Sequence, residues 1–274
     1  LKIETKDQPD LRSWNEFVQR HKNPKSTVTI GLIGKYVELQ DSYKSILEAF
    51  IHAGASNEVK VKIESIHSEY LEVENVKKKL SHLDAVLVAP GFGERGIEGK
   101  IEAVRYAREN KLPFFGICLG MQMAVIEYSR NVLGIADSNS IEMDQKTSNP
   151  VISLMEDQKN IMNMGGTMRL GAWDCELVGG KIKEIYGSNM ISERHRHRYE
   201  YNNEYREQFE GSGLKTTGIN PESNLVETIE VEDHPWFIGV QYHPEYKSTV
   251  ATPHPLFTSF VKAAATYKLK KNTI

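Results

Sequence analysis

Cysteine is scarce, with two in 274 residues. That is too few for a disulfide framework, and two lone thiols fit a reducing compartment. No apolar run approaches the ~18–20 residues a membrane span needs, and the opening Leu1-Lys2-Ile3-Glu4 does not read as a signal peptide. Charge of one sign is also lacking. Lys+Arg number 34 against 37 Asp+Glu, a net charge of −3, so neither nucleic acid nor an acidic membrane is an expected partner. No Gly-x-x-x-x-Gly-Lys-Ser/Thr loop occurs, which removes the P-loop nucleotide enzymes. What remains is ordinary: 39% hydrophobic, 26% charged, 20 Gly and 10 Pro, which excludes disordered and collagen-like chains. The expectation is a globular, cytoplasmic protein long enough to remove ~75% of its unfolded surface from water.

The chain divides by pattern. Residues 1–27 are polar and read as a linker with a lead-in helix, capped by Asp10, with Leu11, Trp14, Phe17 and Val18 on its apolar side. Asn23-Pro24 ends it. From Val28 strands and helices alternate: Val28–Gly34, a helix opened by Asp41 and stopped by Gly54, an alternating edge-type strand Val59–Ile63, and a short helix Val73–Leu80. An apolar strand Asp84–Val88, a helix Ile97–Asn110, a strand Pro113–Ile117 and a helix Leu119–Ser129 follow. Such alternation predicts an α/β fold, a mostly parallel central sheet with helices on both faces. After Asn131 comes a β-rich insertion with turns at Gly165-Gly166 and Gly179-Gly180, then a strand Phe237–Gln241 and a closing helix from Pro255 to about Tyr267. The expected domain is 28–267, with a tail at 268–274.

The most informative segment is Phe114-Phe115-Gly116-Ile117-Cys118-Leu119-Gly120-Met121-Gln122. A buried strand enters Gly-x-Cys-x-Gly and a helix follows at once, which is the cysteine form of the nucleophile elbow. The glycines permit a sharp turn that exposes the thiol. The helix start lowers its pKa and offers N–H groups to an oxyanion. A thiolate in acyl chemistry needs a base, and the base needs an orienting group. His243-Pro244-Glu245 closes a predicted strand; as i and i+2 in extended chain, His243 and Glu245 project to one side. His-Pro also occurs at 234 and 254, so this signal draws its weight from the elbow. Both fall at carboxyl ends of strands, where open α/β sheets place their sites.

Gly91-Phe-Gly93-Glu-Arg-Gly96 mimics a dinucleotide loop. It follows the third strand rather than the first, and the next strand ends in the elbow instead of an acid. It reads better as a glycine loop that lends the oxyanion a second N–H. In Arg194-His195-Arg196-His197-Arg198, period two turns the arginines to one face, suited to a carboxylate. No Cys-x-x-Cys or His-x-x-x-His accompanies the histidines, so no metal is expected.

These motifs resemble the class I (triad-type) glutamine amidotransferases, whose fold is flavodoxin-like. Gly91–Lys100, Gly165–Gly171 and Glu193–Glu200 are similar to segments of the amidotransferase domain in the CTP synthase family, over roughly Val28 to Lys262. One departure is Ala89-Pro90-Gly91-Phe92, where the family more often shows Pro-Gly-Gly-Phe. The resemblance implies that Cys118 attacks the amide of glutamine, His243 moves the proton and Glu245 orients His243. It carries glutamine recognition onto Gly91, Leu119, Gly120, Met121, Gln122, Glu142 and Arg198. It also implies a synthetase domain, not in these residues, that uses ATP and Mg to aminate UTP, with GTP as activator. Arg95, next to the glycine loop, is the candidate contact for GTP, since an exposed arginine there can meet a phosphate or base. No cofactor is expected in the chain itself. Other class I amidotransferases, γ-glutamyl hydrolase-like enzymes and a catalytically silent regulatory module are the alternatives, and an intact Cys118, His243 and Glu245 speaks against silence.

Overall fold

A computed structural model describes residues 10–154 and 168–272. In chain order the elements are α1 (Arg12–Lys22), β1 (Ser26–Gly34), α2 (Lys44–Ser56), β2 (Val59–His67), α3 (Val76–Leu80), β3 (Ala85–Val88), α4 (Ile97–Glu109), β4 (Phe114–Ile117) and α5 (Leu119–Asn131). Then come β5 (Ser138–Ser140), β6 (Asn149–Leu154), β7 (Arg169–Leu177), α6 (Gly180–Tyr186), β8 (Met190–His197), β9 (Tyr199–Tyr201), α7 (Arg206–Ser212), β10 (Leu214–Ile219), β11 (Val226–Val231), β12 (Phe237–Val240) and α8 (Pro255–Lys271).

The main sheet has nine strands in the order β2-β1-β3-β4-β12-β11-β10-β7-β8. The first five run parallel. The rest form an antiparallel extension, so part of the β-rich insertion continues the central sheet, while β5, β6 and β9 form a separate three-stranded sheet. β3, β4 and β12 are buried at every residue, as strands covered on both faces must be. On one face, Ile101 and Val104 of α4 and Met123 and Ile126 of α5 join the core under β3 and β4. On the other, Phe50 of α2 meets Phe257 of α8 edge to face at 5.2 Å. Ile46, Ala49, Phe50 and Ala53 stand at i, i+3, i+4 and i+7 on α2 and are buried, the stripe that binds a helix to a sheet.

Several expected boundaries move. Leu11, not Asp10, is the N-cap of α1, although Asp10 accepts from the Arg12 N–H at 3.0 Å. Asp41 lies in a 3-10 turn, Gln40–Tyr43, that precedes α2, and α2 continues past Gly54 to Ser56. At Gly179-Gly180 the chain turns out of β7 with Gly180 at φ 75°, and Gly180 is also the first residue of α6. α8 runs on to Lys271, because its residues after Tyr267 (Lys-Leu-Lys-Lys) are good helix formers with cations at the negative helix end. The turn expected at Gly165-Gly166 lies outside the described residues. No described helix is long and apolar enough to cross a membrane.

Candidate active site

β4 ends at Ile117, α5 begins at Leu119, and Cys118 alone makes the turn with φ 53° and ψ −105°. A non-glycine residue held there stores ~1–3 kcal/mol of strain. The flanking glycines permit this turn as expected, by leaving room rather than by backbone freedom. Neither has a positive φ; both are needed for close approach. A β-carbon on Gly120 would stand 2.2 Å from the Val88 carbonyl oxygen, and one on Gly116 2.7 Å from the Gly120 backbone. The strand and helix can converge on Cys118 because both side chains are absent.

The base arrives on the adjacent strand. β12 pairs in parallel with β4, Gly239 beside Gly116 and Val240 beside Ile117. The register extends one step further, with the Cys118 N–H donating to the Val240 carbonyl at 2.7 Å. Residues 125 apart in sequence, Cys118 and His243, thus leave neighbouring strand ends together. His243 and Glu245 are not on an extended segment as expected. Pro244 opens a 3-10 turn, Pro244–Lys247, since its fixed φ suits a first helical position. That turn folds the Glu245 Oε1 back to 2.8 Å from the His243 Nδ1. The His243 N–H donates to the Arg194 carbonyl of β8 at 2.8 Å, so the antiparallel extension also holds the base.

Cys118, His243 and Glu245 are 3%, 4% and 5% exposed. The His243 Nε2 is buried with no hydrogen-bond partner among the described residues. Burial opposes the imidazolium, but Cys118 and Glu245 outweigh it and hold the His243 pKa well above the usual histidine range. A charged imidazole is what such an environment favours. Gln241, which sequence reasoning missed, donates its Nε2 to the Cys118 sulfur at 3.7 Å. Its place one residue past β12, in step with Cys118 past β4, was the available signal.

The glycine loop is clamped from both sides. The Lys35 Nζ donates to the carbonyls of Phe92 and Gly93 at 2.6 and 2.5 Å, and Glu142 Oε1 accepts from the Gly93 N–H at 2.7 Å. Lys100 Nζ donates to the Ala89 carbonyl at 2.7 Å. Neither lysine was expected in the site, because a lysine in sequence reads as solvated. A β-carbon on Gly91 would lie 3.5 Å from Leu119, so the loop runs beside the elbow. Leu119, Gly120, Met121 and Gln122 are all buried in the first turn of α5. Gln122 turns its side chain to the Tyr199 carbonyl at 2.9 Å and to Gln241 at 3.2 Å.

In β8 period two holds: Arg194 and Arg196 are exposed, while His195 and His197 are buried. The strand ends before Arg198, which lies half-buried in the bend beyond it. Arg196 stands over the Phe92 ring, 5.7 Å from its centroid. Beneath β8 lies a buried group of ionisable side chains. Arg169 pairs with Glu227 at 2.5 Å and Glu200 at 3.6 Å, and His197 with Glu200 at 2.6 Å. Burial, with His197, Arg169 and His243, pushes the His195 pKa far down. Among the described residues no cluster of His, Cys, Asp or Glu could hold a metal ion. Arg95 is half-exposed, paired with Glu69 at 2.9 Å and lying over Tyr36.

Residues 38–263 match the family model of the class-I glutamine amidotransferases. The chain is 70% identical over 264 residues to CTP synthase of Christiangramia forsetii, covering 96% of this chain and 48% of that protein. With CTP synthase of Flavobacterium psychrophilum it shares 67% over 271 residues, 98% of this chain and 50% of that one. It spans about half the length of the curated relatives it matches. The glutaminase domain of Trypanosoma brucei CTPS, solved with bound acivicin, superposes with a TM-score of 0.83 at 40% identity, covering 87% of this chain and 94% of that one. With the elbow and the His243–Glu245 pair in place, these likenesses settle the family: the chain belongs to the class I glutamine amidotransferases, of the type that forms the glutaminase domain of CTP synthase.

Proposed function

We propose that the chain hydrolyses the side-chain amide of glutamine and delivers the ammonia to a synthetase domain that aminates ATP-activated UTP to CTP. The observation that carries this reading is Cys118 beside His243 and Glu245 on the ends of two paired parallel strands. The Cys118 sulfur attacks the amide carbon. His243, held through Nδ1 by Glu245, delivers the proton from Nε2 to the leaving nitrogen, the C–N bond breaks, and a γ-glutamyl thioester remains. Water then attacks the thioester, His243 accepts its proton, and glutamate leaves as the sulfur is freed. The oxyanion faces N–H groups that the first turn of α5 leaves without an intrahelical acceptor, with a second donor from Gly91.

A free amino acid offers one ammonium and one carboxylate, which suit Glu142 and Arg198. Glu142 already holds the Gly93 N–H, so substrate binding and loop position are coupled through one carboxylate. Arg95 offers a guanidinium beside the same loop to a docked GTP. ATP and Mg belong to the synthetase partner, and the reaction to the cytoplasm, where free thiols such as Cys118 and Cys175 persist.

The test is glutamate release by this chain, with and without GTP, then with a separately expressed synthetase domain, ATP and UTP. Slow release alone and CTP formation only with the partner are expected. CTP made by the chain alone would overturn the division of labour, and no glutamate release in either setting would overturn the reading.

A further inference from the structure

Lys100 is completely buried, which is rare for lysine. It sits in the first turn of α4, where a helix disfavours a cation. Its Nζ donates to the Ala89 carbonyl at 2.7 Å and lies 3.8 Å from where a β-carbon on Gly91 would stand. The ammonium is therefore at the root of the glycine loop, on its core side. Lys35, at the end of β1, holds the carbonyls of Phe92 and Gly93 in the same loop. The ionisable groups acting on Lys100 are Lys35 and, from the elbow, Cys118. Burial and Lys35 lower its pKa to about 7, and Cys118 acts the other way. Of the two, only Cys118 has an ionised form of opposite charge.

We propose that Lys100 is a positioning residue of the hydrolysis, anchoring the root of the glycine loop through the Ala89 carbonyl and serving as the buried counter-charge that favours the Cys118 thiolate and then the oxyanion. This rests on the glutamine-hydrolysis reading and adds a residue to it. Lys35 acts on the outer carbonyls of the loop, so its replacement loosens the loop without removing the charge at its root.

Lys100→Met keeps the length of the side chain and removes its charge. The readout is the rate of Cys118 alkylation by iodoacetamide from about pH 5 to 9, with peptide mapping, beside kcat and KM for glutamine. The alkylation midpoint moves to higher pH, and kcat falls about 10- to 100-fold while KM changes less than about threefold. A folded Lys100→Met protein with an unmoved midpoint overturns the proposal. Coupling between two sites is reciprocal, which covers a variant that fails to fold. With lysines labelled at the ε-carbon, NMR titration of Lys100 gives a lower midpoint in Cys118→Ser than in the wild type; equal midpoints overturn the proposal as well. Alkylation needs no glutamine turnover. A shifted midpoint in a protein that releases no glutamate would sink the functional reading and leave only the coupling of Lys100 to Cys118 standing; turnover with unmoved midpoints would sink the proposal and leave the functional reading intact.

Discussion

The molecule holds two buried thiols, one in each half of its sheet, and their surroundings are opposite. Cys118 ends a parallel strand at a helix start, with a raised-pKa histidine and a buried lysine acting on it. Cys175 lies inside antiparallel β7, completely buried. There burial, then Glu227, push its thiol well up, and Arg169 only partly opposes them. Burial is common to both, so it does not decide reactivity. What differs is the balance: at Cys175 burial and Glu227 outweigh Arg169, whereas Cys118 sits at a helix start with His243 and Lys100 both coupled to it.

The sharpest way to break this contrast is to exchange the thiols for hydroxyls. Cys118→Ser should lower glutamate release at least ~10³-fold, while Cys175→Ser leaves kcat near the wild-type value. Comparable losses from both would end the distinction. Next in size, Glu245→Gln frees the imidazole from its orienting carboxylate. Initial-rate kinetics should show kcat down ~10²-fold with little change in KM; a pure KM effect would place Glu245 in binding instead. Smaller still, Arg198→Ala should raise KM for glutamine about tenfold, since a charge left without its partner costs roughly 1.5–3 kcal/mol. Arg194→Ala and Arg196→Ala act less, and if either exceeds Arg198→Ala, the wrong arginine has been assigned.

The least effect concerns stability in the antiparallel half. Burial first, with Glu200 competing for Arg169, raises the Glu227 pKa to about 8 from 4.5. A carboxyl raised on folding binds its proton more tightly in the native state, so stability declines as pH rises from about 4.5 towards about 8. Glu227→Gln keeps the buried shape without the titration. Melting curves across that window should slope less steeply for the variant, and equal slopes would remove Glu227 as the cause.

The two halves also differ in how far their sequence announces them. β1, β3 and β4 are short apolar runs between helices with 3.6-residue stripes, and their parallel order follows from that alternation; β12 is a fourth apolar run, which follows β11 directly. The elbow was legible because Gly116, Cys118 and Gly120 have to occupy fixed places around one tight turn. The pairing of β7 and β8 with β10 and β11 was not, because their inward positions include Arg169, His195, His197 and Glu227, which read as solvated in sequence. Lys35 and Lys100 were missed for the same reason: only the folded chain shows which carbonyls they reach. The His243–Glu245 pair was found with the wrong backbone, since i, i+2 spacing fits both an extended strand and the 3-10 turn that Pro244 selects.

Acid quenching of the protein during glutamine turnover, followed by peptide mass spectrometry, tests the central claim most directly. The account predicts one γ-glutamyl thioester, on the peptide carrying Cys118, absent from Cys118→Ser and never on Cys175. A γ-glutamyl adduct on Cys175, or glutamate release that persists in Cys118→Ser without any adduct, would contradict it.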